Sequence, residues 1–417
     1  MALNYIWVGF IVIGFVVGLV KALLFGQTGI LSEMLSALFD ASKSGFEISL
    51  GLTGIMSLWL GIMKIGEKAG VIRVFSKAVA PLFRTLFRGV PKDGPAYGSV
   101  MMNLSANMLG LDNAATPLGL KAMTELQEIN PQKDTASDAQ IMFLVLNTAG
   151  ITLIPTSVIA IRQTIALENH IAGFNAADIF LPTLIATFIA FLSGIFIVSA
   201  YQKINLFKLP VLLFIGGFCG LIFLLHYSLA QMPADKVNQT IGAIGSAVIL
   251  AIIVLFVTAG MVKKQNVYDN FIEGAKEGFS VALRIIPYLV AMLAAISIFR
   301  ASGCMQYLVE GIAKVVALCG LNTDFVPTLP IALMKPLSGS GARGLMVDVM
   351  RTYGVDSFQG KLAAIIQGST ETTFYVLAVY FGSVQIKNTR HALVCGLIAD
   401  LMGLIGAIVV GYVFFHK

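Results

Sequence analysis

The chain has 417 residues and a net charge of +6, and 57% of its residues are hydrophobic whereas only 12% are charged. Soluble globular domains carry about 25% charged residues, so this composition excludes an ordinary soluble enzyme. Lys and Arg gather in a few loops, which is typical of membrane topology and not of a nucleic-acid-binding surface. We therefore expect a polytopic helical membrane protein.

Several apolar runs reach the roughly 20 residues that a helix needs to cross the hydrocarbon core. The first apolar run, residues 5–24, has no basic segment before it and no clear small-residue cleavage site. We therefore expect it to be a membrane span and not a signal peptide. The basic amphipathic stretch "IRVFSKAVAPLFRTLFRGV" is expected to lie along the cytoplasmic interface. The clear runs are residues 5–24, 179–200, 209–229, 241–262 and 392–415.

The chain contains two pairs of interrupted apolar segments, which indicate an internal duplication. "SVMMNLSANMLGLDNAATPLGLKAM" corresponds to "PIALMKPLSGSGARGLMVDVM", and "IMFLVLNTAGITLIPTSVIAIR" corresponds to "LAAIIQGSTETTFYVLAVYFGS". Each run stops at a small, polar kink and then resumes. We predict two domains, residues 1–205 and residues 206–417.

The distribution of positive charge predicts how the two halves are oriented. If the glycine-bearing segments only re-enter the membrane, the basic residues of 64–92, 203–208, 263–276 and 387–390 all become cytoplasmic. Arg300, Lys314 and Arg351 are then exceptions on the outside. The predicted fold class is an all-α polytopic membrane protein of two inverted-topology repeats with broken or re-entrant helices. Hairpins that crossed completely would make the repeats parallel instead.

The stretch "PLSGSGARGLM" contains G-x-G-x-x-G at Gly339, Gly341 and Gly344. A dinucleotide-binding loop with this spacing must follow a β-strand and open a helix, whereas hydrophobic helices flank this one. The four cysteines and four histidines show no metal-ligand spacing. We therefore expect no cofactor, and we interpret the glycines as a break in a membrane helix.

Non-helical backbone within a bilayer is tolerated only where it is buried in protein or lines a wet cavity, and paired interrupted segments point to a transporter's substrate site. Amide and hydroxyl side chains in the breaks are suited to binding a polar or zwitterionic solute. Asp112 and Glu371 are predicted to handle a coupling ion, Na⁺ or H⁺. The predicted substrate-binding residues are Asn103, Ser105, Asn107, Asn113, Asn147, Thr148, Ser338, Ser340, Gln367, Ser369, Thr370 and Thr373.

Each of these assignments has a structural alternative. Asn103, Asn147 and Gln367 are also suited to hydrogen bonding between helices, and the glycines to close helix packing. Glu371 could pair with Arg343 or Lys335, and Asp112 could cap the helix that follows it. Snorkelling to the interface explains Arg162, whereas Asp400 has no clear partner in the sequence.

The same residues carry a family resemblance that covers nearly the whole chain. "NLSANMLGLDNAATPLGLKAMTELQ" with "LNTAGITLIPTSVIAIR" resembles the spore maturation protein A family. "PLSGSGARGLMVDVM", the segment "LAAIIQGSTETTFYVLAVYFGS" and "IADLMG" resemble the spore maturation protein B family. The chain is thus similar to a fusion of the two. Both halves resemble the nucleoside-recognition "Gate" domain that concentrative nucleoside transporters and the ferrous-iron membrane protein share.

The resemblance implies a transport-type domain in the bacterial inner membrane. The chain lacks a G-x-x-x-x-G-K-[ST] motif, so a built-in GTPase is not expected. We expect an ion-coupled secondary transporter of a small nucleoside-like or amino-acid-like solute, and not an enzyme. The alternative is a non-transporting membrane scaffold in envelope or spore maturation. The expected partners are the solute and the lipid bilayer, without nucleic acid, and self-association into a homo-oligomer is left open.

Overall fold

The structure, a computed structural model, describes residues 2–91, 94–110, 112–230 and 234–416. The described residues are almost entirely helical, with one isolated bridge between Thr135 and Asn388. Seven helical stretches in this part are long and apolar enough to cross a membrane, so the prediction of a multi-pass helical membrane protein is confirmed. The helices are α1 (Ala2–Leu24), α2 (Gly29–Lys68), α3 (Val71–Leu86), α4 (Pro95–Met108), α5 (Asp112–Glu128), α6 (Asp138–Thr148), α7 (Thr156–Glu168), α8 (Phe180–Gln202), α9 (Leu209–Ala230), α10 (Ala234–Val262), α11 (Val267–Ala301), α12 (Cys304–Leu318), α13 (Leu329–Met334), α14 (Gly339–Tyr353), α15 (Phe358–Ser369), α16 (Thr373–Ser383) and α17 (Ala392–Phe415).

The two longest helices, α2 and α11, pack along each other as an antiparallel pair. Glycines allow their backbones to meet. A Cβ on Gly274 would lie 2.2 Å from the carbonyl oxygen of Leu60, and one on Gly278 would lie 2.5 Å from that of Met56. At the other end of the contact, Gly45 faces the backbone of Val290. The order of these contacts shows that the two helices run in opposite directions.

Other helices at corresponding places in the two halves contact each other in the same reciprocal way. Gly194 of α8 packs on Ala399 of α17. These are the last helices of the first and the second predicted half. Trp7 of α1 donates a 2.9 Å hydrogen bond to the carbonyl of Ala291 in α11, and α10 packs on α2 in turn. Antiparallel contacts between corresponding helices are compatible with an inverted duplication. The inversion and the boundary near residue 205 both stay predictions.

All four predicted interruptions occur as breaks between helices. The first separates α4 from α5, which fold back on each other, and Asn103 Nδ2 joins them by donating 2.7 Å to the carbonyl of Ala115. The third separates α13 from α14, which also contact each other. The second and fourth separate α6 from α7 and α15 from α16. Each half therefore contains one hairpin and one broken helix.

The prediction that Arg162 snorkels to the interface was wrong. Arg162 is wholly buried, forms an ion pair with Asp178, and donates a 2.9 Å hydrogen bond to the carbonyl of Ala176. The Arg162 side chain is enclosed because α7 packs against α2, α15 and the turn before α8. Lys361 of α15 also approaches Asp178, at 3.2 Å between Nζ and Oδ2, so this network joins the two halves.

Two of the arginines that the topology placed outside are also ion-paired. Arg300 Nε donates to Asp348 Oδ1 at 2.9 Å, and Arg351 Nη2 lies 2.9 Å from Glu168 Oε2. Both arginines are therefore paired within the protein, while their departure from the expected charge pattern has no structural explanation.

Candidate functional site: three cavities at the helix breaks

Backbone hydrogen bonds link the four helix breaks to one another. The amide of Leu153 donates 2.9 Å to the carbonyl of Met108, which joins the first break to the second. The amide of Glu371 donates 2.8 Å to Thr148, and that of Phe374 donates 3.0 Å to Pro336. These bonds join the fourth break to the second and the third. Backbone groups that the breaks free from their helices are thus satisfied inside the protein, as a membrane interior demands.

Local sequence explains why the helices stop where they do. Gly110 ends the turn after α4 with φ of 73°, a left-handed conformation that glycine adopts without strain. Pro155 directly precedes α7 and cannot donate a backbone hydrogen bond. Ser338 caps α14, since its Oγ accepts a 3.0 Å hydrogen bond from the amide of Gly341. The G-x-G-x-x-G motif is therefore the capped start of a half-helix.

All four breaks contribute to one polar cavity of about 110 Å³, which we call the central cavity. Gly110 comes from the first break, residues 152 and 154–158 from the second, and Lys335 and Gly339 from the third. The fourth contributes Gln367, Gly368 and Glu371. The full lining is Gly110, Thr152, Ile154, Pro155, Thr156, Ser157, Val158, Lys335, Gly339, Arg343, Gln367, Gly368 and Glu371.

The central cavity contains charges of both signs. Lys335 is only 6% exposed, and its Nζ donates 2.8 Å to the carbonyl oxygen of Gln367. Arg343 is half-buried and Glu371 is exposed. The amide of Gln367 is buried, and its Oε1 receives no hydrogen bond from the described residues. The cavity can therefore offer donors, acceptors and both charges to a polar solute.

Glu371 also borders a second cavity of about 190 Å³, which we call the amide cavity. Asn107 and Asn147 line it, and Asn107 Nδ2 donates to Asn147 Oδ1. Asn147 in turn donates 2.8 Å to the carbonyl of Phe143. The remaining lining residues are Thr116, Tyr375, Val376, Val379 and Tyr380. Glu371 thus stands between two cavities that both contain predicted solute-binding side chains.

A third cavity, also of about 190 Å³, contains Asp400, and we call it the Asp400 cavity. Its other polar lining residues are Lys335, Ser369 and Thr370. Asp400 is 8% exposed and accepts a 2.6 Å hydrogen bond at Oδ2 from the hydroxyl of Thr373. The partner that the sequence alone did not identify for Asp400 is therefore Thr373. Lys335 lies between this cavity and the central one.

Other predicted residues lie away from these cavities. Asn103 and Ser105 are fully buried in the first hairpin. Thr148 is buried and contributes its backbone carbonyl to the junction of the breaks. Ser338 caps α14, with Ser340 3.2 Å away between the two hydroxyl oxygens. The side chains of Asp112 and Asn113 lie outside the described residues, although α5 itself begins at Asp112.

The sequence did not single out Thr156 and Ser157 as site residues. It considered Lys335 and Arg343 only as partners of Glu371. All four line the central cavity. The proline before Thr156 is a helix-start signal and could have placed α7's first turn at the break. That this turn faces the third and fourth breaks depends on packing between distant segments.

Comparison with known proteins matches two separate parts of this chain. A family model described as nucleoside recognition (Gate) matches residues 49–164 and 282–387, and each match covers two of the four breaks. The chain is 45% identical over 163 residues to "Spore maturation protein B" of Bacillus subtilis (strain 168), which is 39% of this chain and 88% of that protein. It is 40% identical over 194 residues to "Spore maturation protein A" of the same organism, 46% of this chain and 92% of that protein. No solved structure matches the chain.

Proposed function

We propose, from the premise that this chain belongs to the nucleoside-recognition (Gate) family of membrane proteins, that it is a secondary transporter of a small polar solute. Its two parts are homologous to spore maturation proteins A and B, as in a fusion of the two. The observation that carries the proposal is the junction of four helix breaks around one polar cavity. Transporters bind substrate at such discontinuous helices. The bacterial inner membrane is the proposed location.

The proposed solutes are nucleoside-like or amino-acid-like compounds. Gln367 in the central cavity and Asn107 and Asn147 in the amide cavity are the proposed solute-binding side chains. Pockets for drug-sized ligands have volumes of about 300 Å³ or more, whereas these cavities have about 110 and 190 Å³. The solute is therefore small, or it reaches from one cavity into the other.

Glu371 is the proposed coupling carboxylate, for Na⁺ or H⁺. It is exposed, it lies in the break between α15 and α16, and it borders both the central cavity and the amide cavity. An ion bound at this position would change the charge of the site that the solute enters. Asp112 remains a second proposed coupling residue.

Uptake into proteoliposomes tests this function. We expect a labelled nucleoside or amino acid to accumulate when a Na⁺ or H⁺ gradient is imposed, and Glu371→Gln to abolish gradient-driven accumulation. Glu310→Gln makes the same chemical change on the exposed face of α12 and should leave uptake unchanged. Undiminished gradient-driven uptake by Glu371→Gln would show that coupling lies elsewhere.

The second candidate function, a membrane scaffold without transport, has its own supporting observation. Several polar side chains near the breaks bond to each other, as Asn107 does to Asn147 and Thr373 to Asp400. Such pairs are also suited to holding helices together. A scaffold predicts that no solute raises the melting temperature and that Gln367→Ala is tolerated. Solute-dependent stabilisation that Gln367→Ala removes would exclude it.

A further inference from the structure

We infer that the transported solute is a zwitterion of the α-amino-acid type, with its carboxylate and its ammonium group both held in the central cavity. This inference rests on the proposed transport function and selects one of its two solute classes. The chemistry of the central cavity carries it, since two cations, one carboxylate and the start of a half-helix line about 110 Å³. Gln367 lines it too, and its amide oxygen accepts no hydrogen bond from the described residues.

The carboxylate subsite lies at the first turn of α7. This helix has 13 residues, and its N-cap, Pro155, supplies no side-chain hydrogen bond to the first amides. Thr156, Ser157 and Val158 of that turn line the cavity. The amide of Thr156 already donates 2.8 Å to the carbonyl of Ile154, so the proposed anion donors are the amides of Ser157 and Val158. The start of a helix attracts anions because its first amides have no partner within the helix. Lys335 and Arg343 border the same space and add positive charge.

The ammonium subsite is formed by Glu371 and Gln367. Glu371 is the carboxylate that lines the central cavity. Gln367 is 5% exposed, and its Oε1 accepts no hydrogen bond from the part of the chain that the structure describes. A buried acceptor without a donor is destabilising. Because less than 1 Å² of Oε1 is accessible, a donor from the solute would remove this cost once the amide group turns toward the cavity. An ammonium group brings three donors and a positive charge.

The balance of charge favours a solute that is neutral overall but carries both signs. Lys335 borders the Asp400 cavity as well as the central cavity, so Asp400 offsets part of its charge. Arg343 and Glu371 bring one further charge of each sign to the central cavity. A neutral nucleoside would displace water from these charged groups without replacing it, which is unfavourable. A zwitterion replaces the water at the cations with its carboxylate and the water at Glu371 with its ammonium group.

Thermal stability of the full chain in detergent tests the inference, because a ligand that binds only the folded state raises the melting temperature. The probes are the twenty L-α-amino acids, added one at a time, with uridine and adenosine. For the amino acid that stabilises most, its carboxamide and its N-acetyl derivative are then compared. We expect the free amino acid to stabilise and both blocked derivatives to have no effect.

The matched variants are Glu371→Gln in the ammonium subsite and Glu310→Gln on the exposed face of α12. Losing a hydrogen bond to a charged group should weaken binding of the amino acid by about tenfold or more in Glu371→Gln. Glu310→Gln should bind as the unmodified chain does. If Glu371→Gln melts at a lower temperature without ligand, the blocked derivatives decide the question on the unmodified chain.

The possible failures are distinguishable. Stabilisation by uridine or adenosine with none from any amino acid would overturn the zwitterion and leave the transporter proposal standing. If a blocked derivative stabilised the protein as much as the free amino acid, the zwitterion inference would also be overturned. The charged group that is blocked in that derivative would then not be needed for binding. Absence of stabilisation by every probe, together with absence of uptake, would overturn the transporter proposal itself.

Discussion

Arg162 is a fully buried cation in a membrane protein, and it is held by groups from both halves of the chain. Its guanidinium group pairs with Asp178 and donates a hydrogen bond to the carbonyl of Ala176. The guanidinium carbon also lies 5.0 Å from the centre of the Phe174 ring. Asp178 also forms an ion pair with Lys361, which belongs to the second half. Buried charges persist where they are paired and hydrogen-bonded. This cluster therefore locks α7, the turn before α8 and α15 together.

Replacing Arg162 should destabilise the protein. Removing one partner of a buried ion pair costs about 3–5 kcal/mol when the other charge is left unpaired. Asp178 keeps its pair with Lys361, so we expect Arg162→Met to cost less than this and still to lower the melting temperature in detergent. Arg351→Met is the control, since the Arg351–Glu168 pair is partly exposed and such pairs contribute about 1 kcal/mol or less. Equal melting temperatures for the two variants would contradict the structural role of Arg162.

At the scale of helices, α2 and α11 depend on glycines for their close approach. Their contact lies where Gly274 and Gly278 face carbonyl oxygens of α2. Carbonyl oxygens of a helix cannot move aside as a flexible side chain can. If α2 and α11 were forced apart at this contact, the relative position of the two halves would change, because α2 belongs to the first half and α11 to the second.

Gly278→Ala should therefore destabilise the protein. The added Cβ would lie 2.5 Å from the carbonyl oxygen of Met56, and overpacking of this kind costs about 1–3 kcal/mol. Gly54→Ala in α2 is the matched control, since no atom lies within 4 Å of its added Cβ. Alanine favours a helix over glycine by up to about 1 kcal/mol, so the control should be neutral or stabilising. The melting temperatures in detergent measure both.

At the scale of the whole molecule, the proposed inversion sets which ends of the helices share a side of the membrane. Corresponding helices such as α8 and α17 pack against each other in the structure. In an inverted pair, the C-terminal ends of α8 and α17 lie on opposite sides. In a parallel pair they would lie on the same side. The topology can therefore be tested without knowing the solute.

Cysteine labelling makes this test. In a chain whose four cysteines are replaced, we expect Asn205→Cys, just after α8, and His416→Cys, just after α17, to react from opposite sides. A membrane-impermeant maleimide added to right-side-out and to inverted vesicles reads out the side. Gly173→Cys, before α8, is predicted to react from the same side as His416→Cys. Labelling of both C-terminal positions from one side would contradict the inversion.

That this is a helical membrane protein with four interrupted segments follows from the amino-acid sequence alone. Those features depend on local chemistry, since apolar runs make spans and glycine, proline or serine at a kink ends a helix. Gly110, Pro155 and Ser338 each act within a few residues of their own position. The class of the protein and the places of its breaks could therefore be predicted without a structure.

Only the tertiary structure decided which breaks meet and what their junction contains. Lys335 reaches the carbonyl of Gln367, 32 residues away, and Arg162 shares Asp178 with Lys361 of the other half. Contacts of this kind are set by how distant helices pack, and no local pattern specifies them. Snorkelling was the reasonable expectation for Arg162 on local grounds, and it failed because α7 is enclosed by other helices. The central cavity exists because four segments far apart in the sequence pack together.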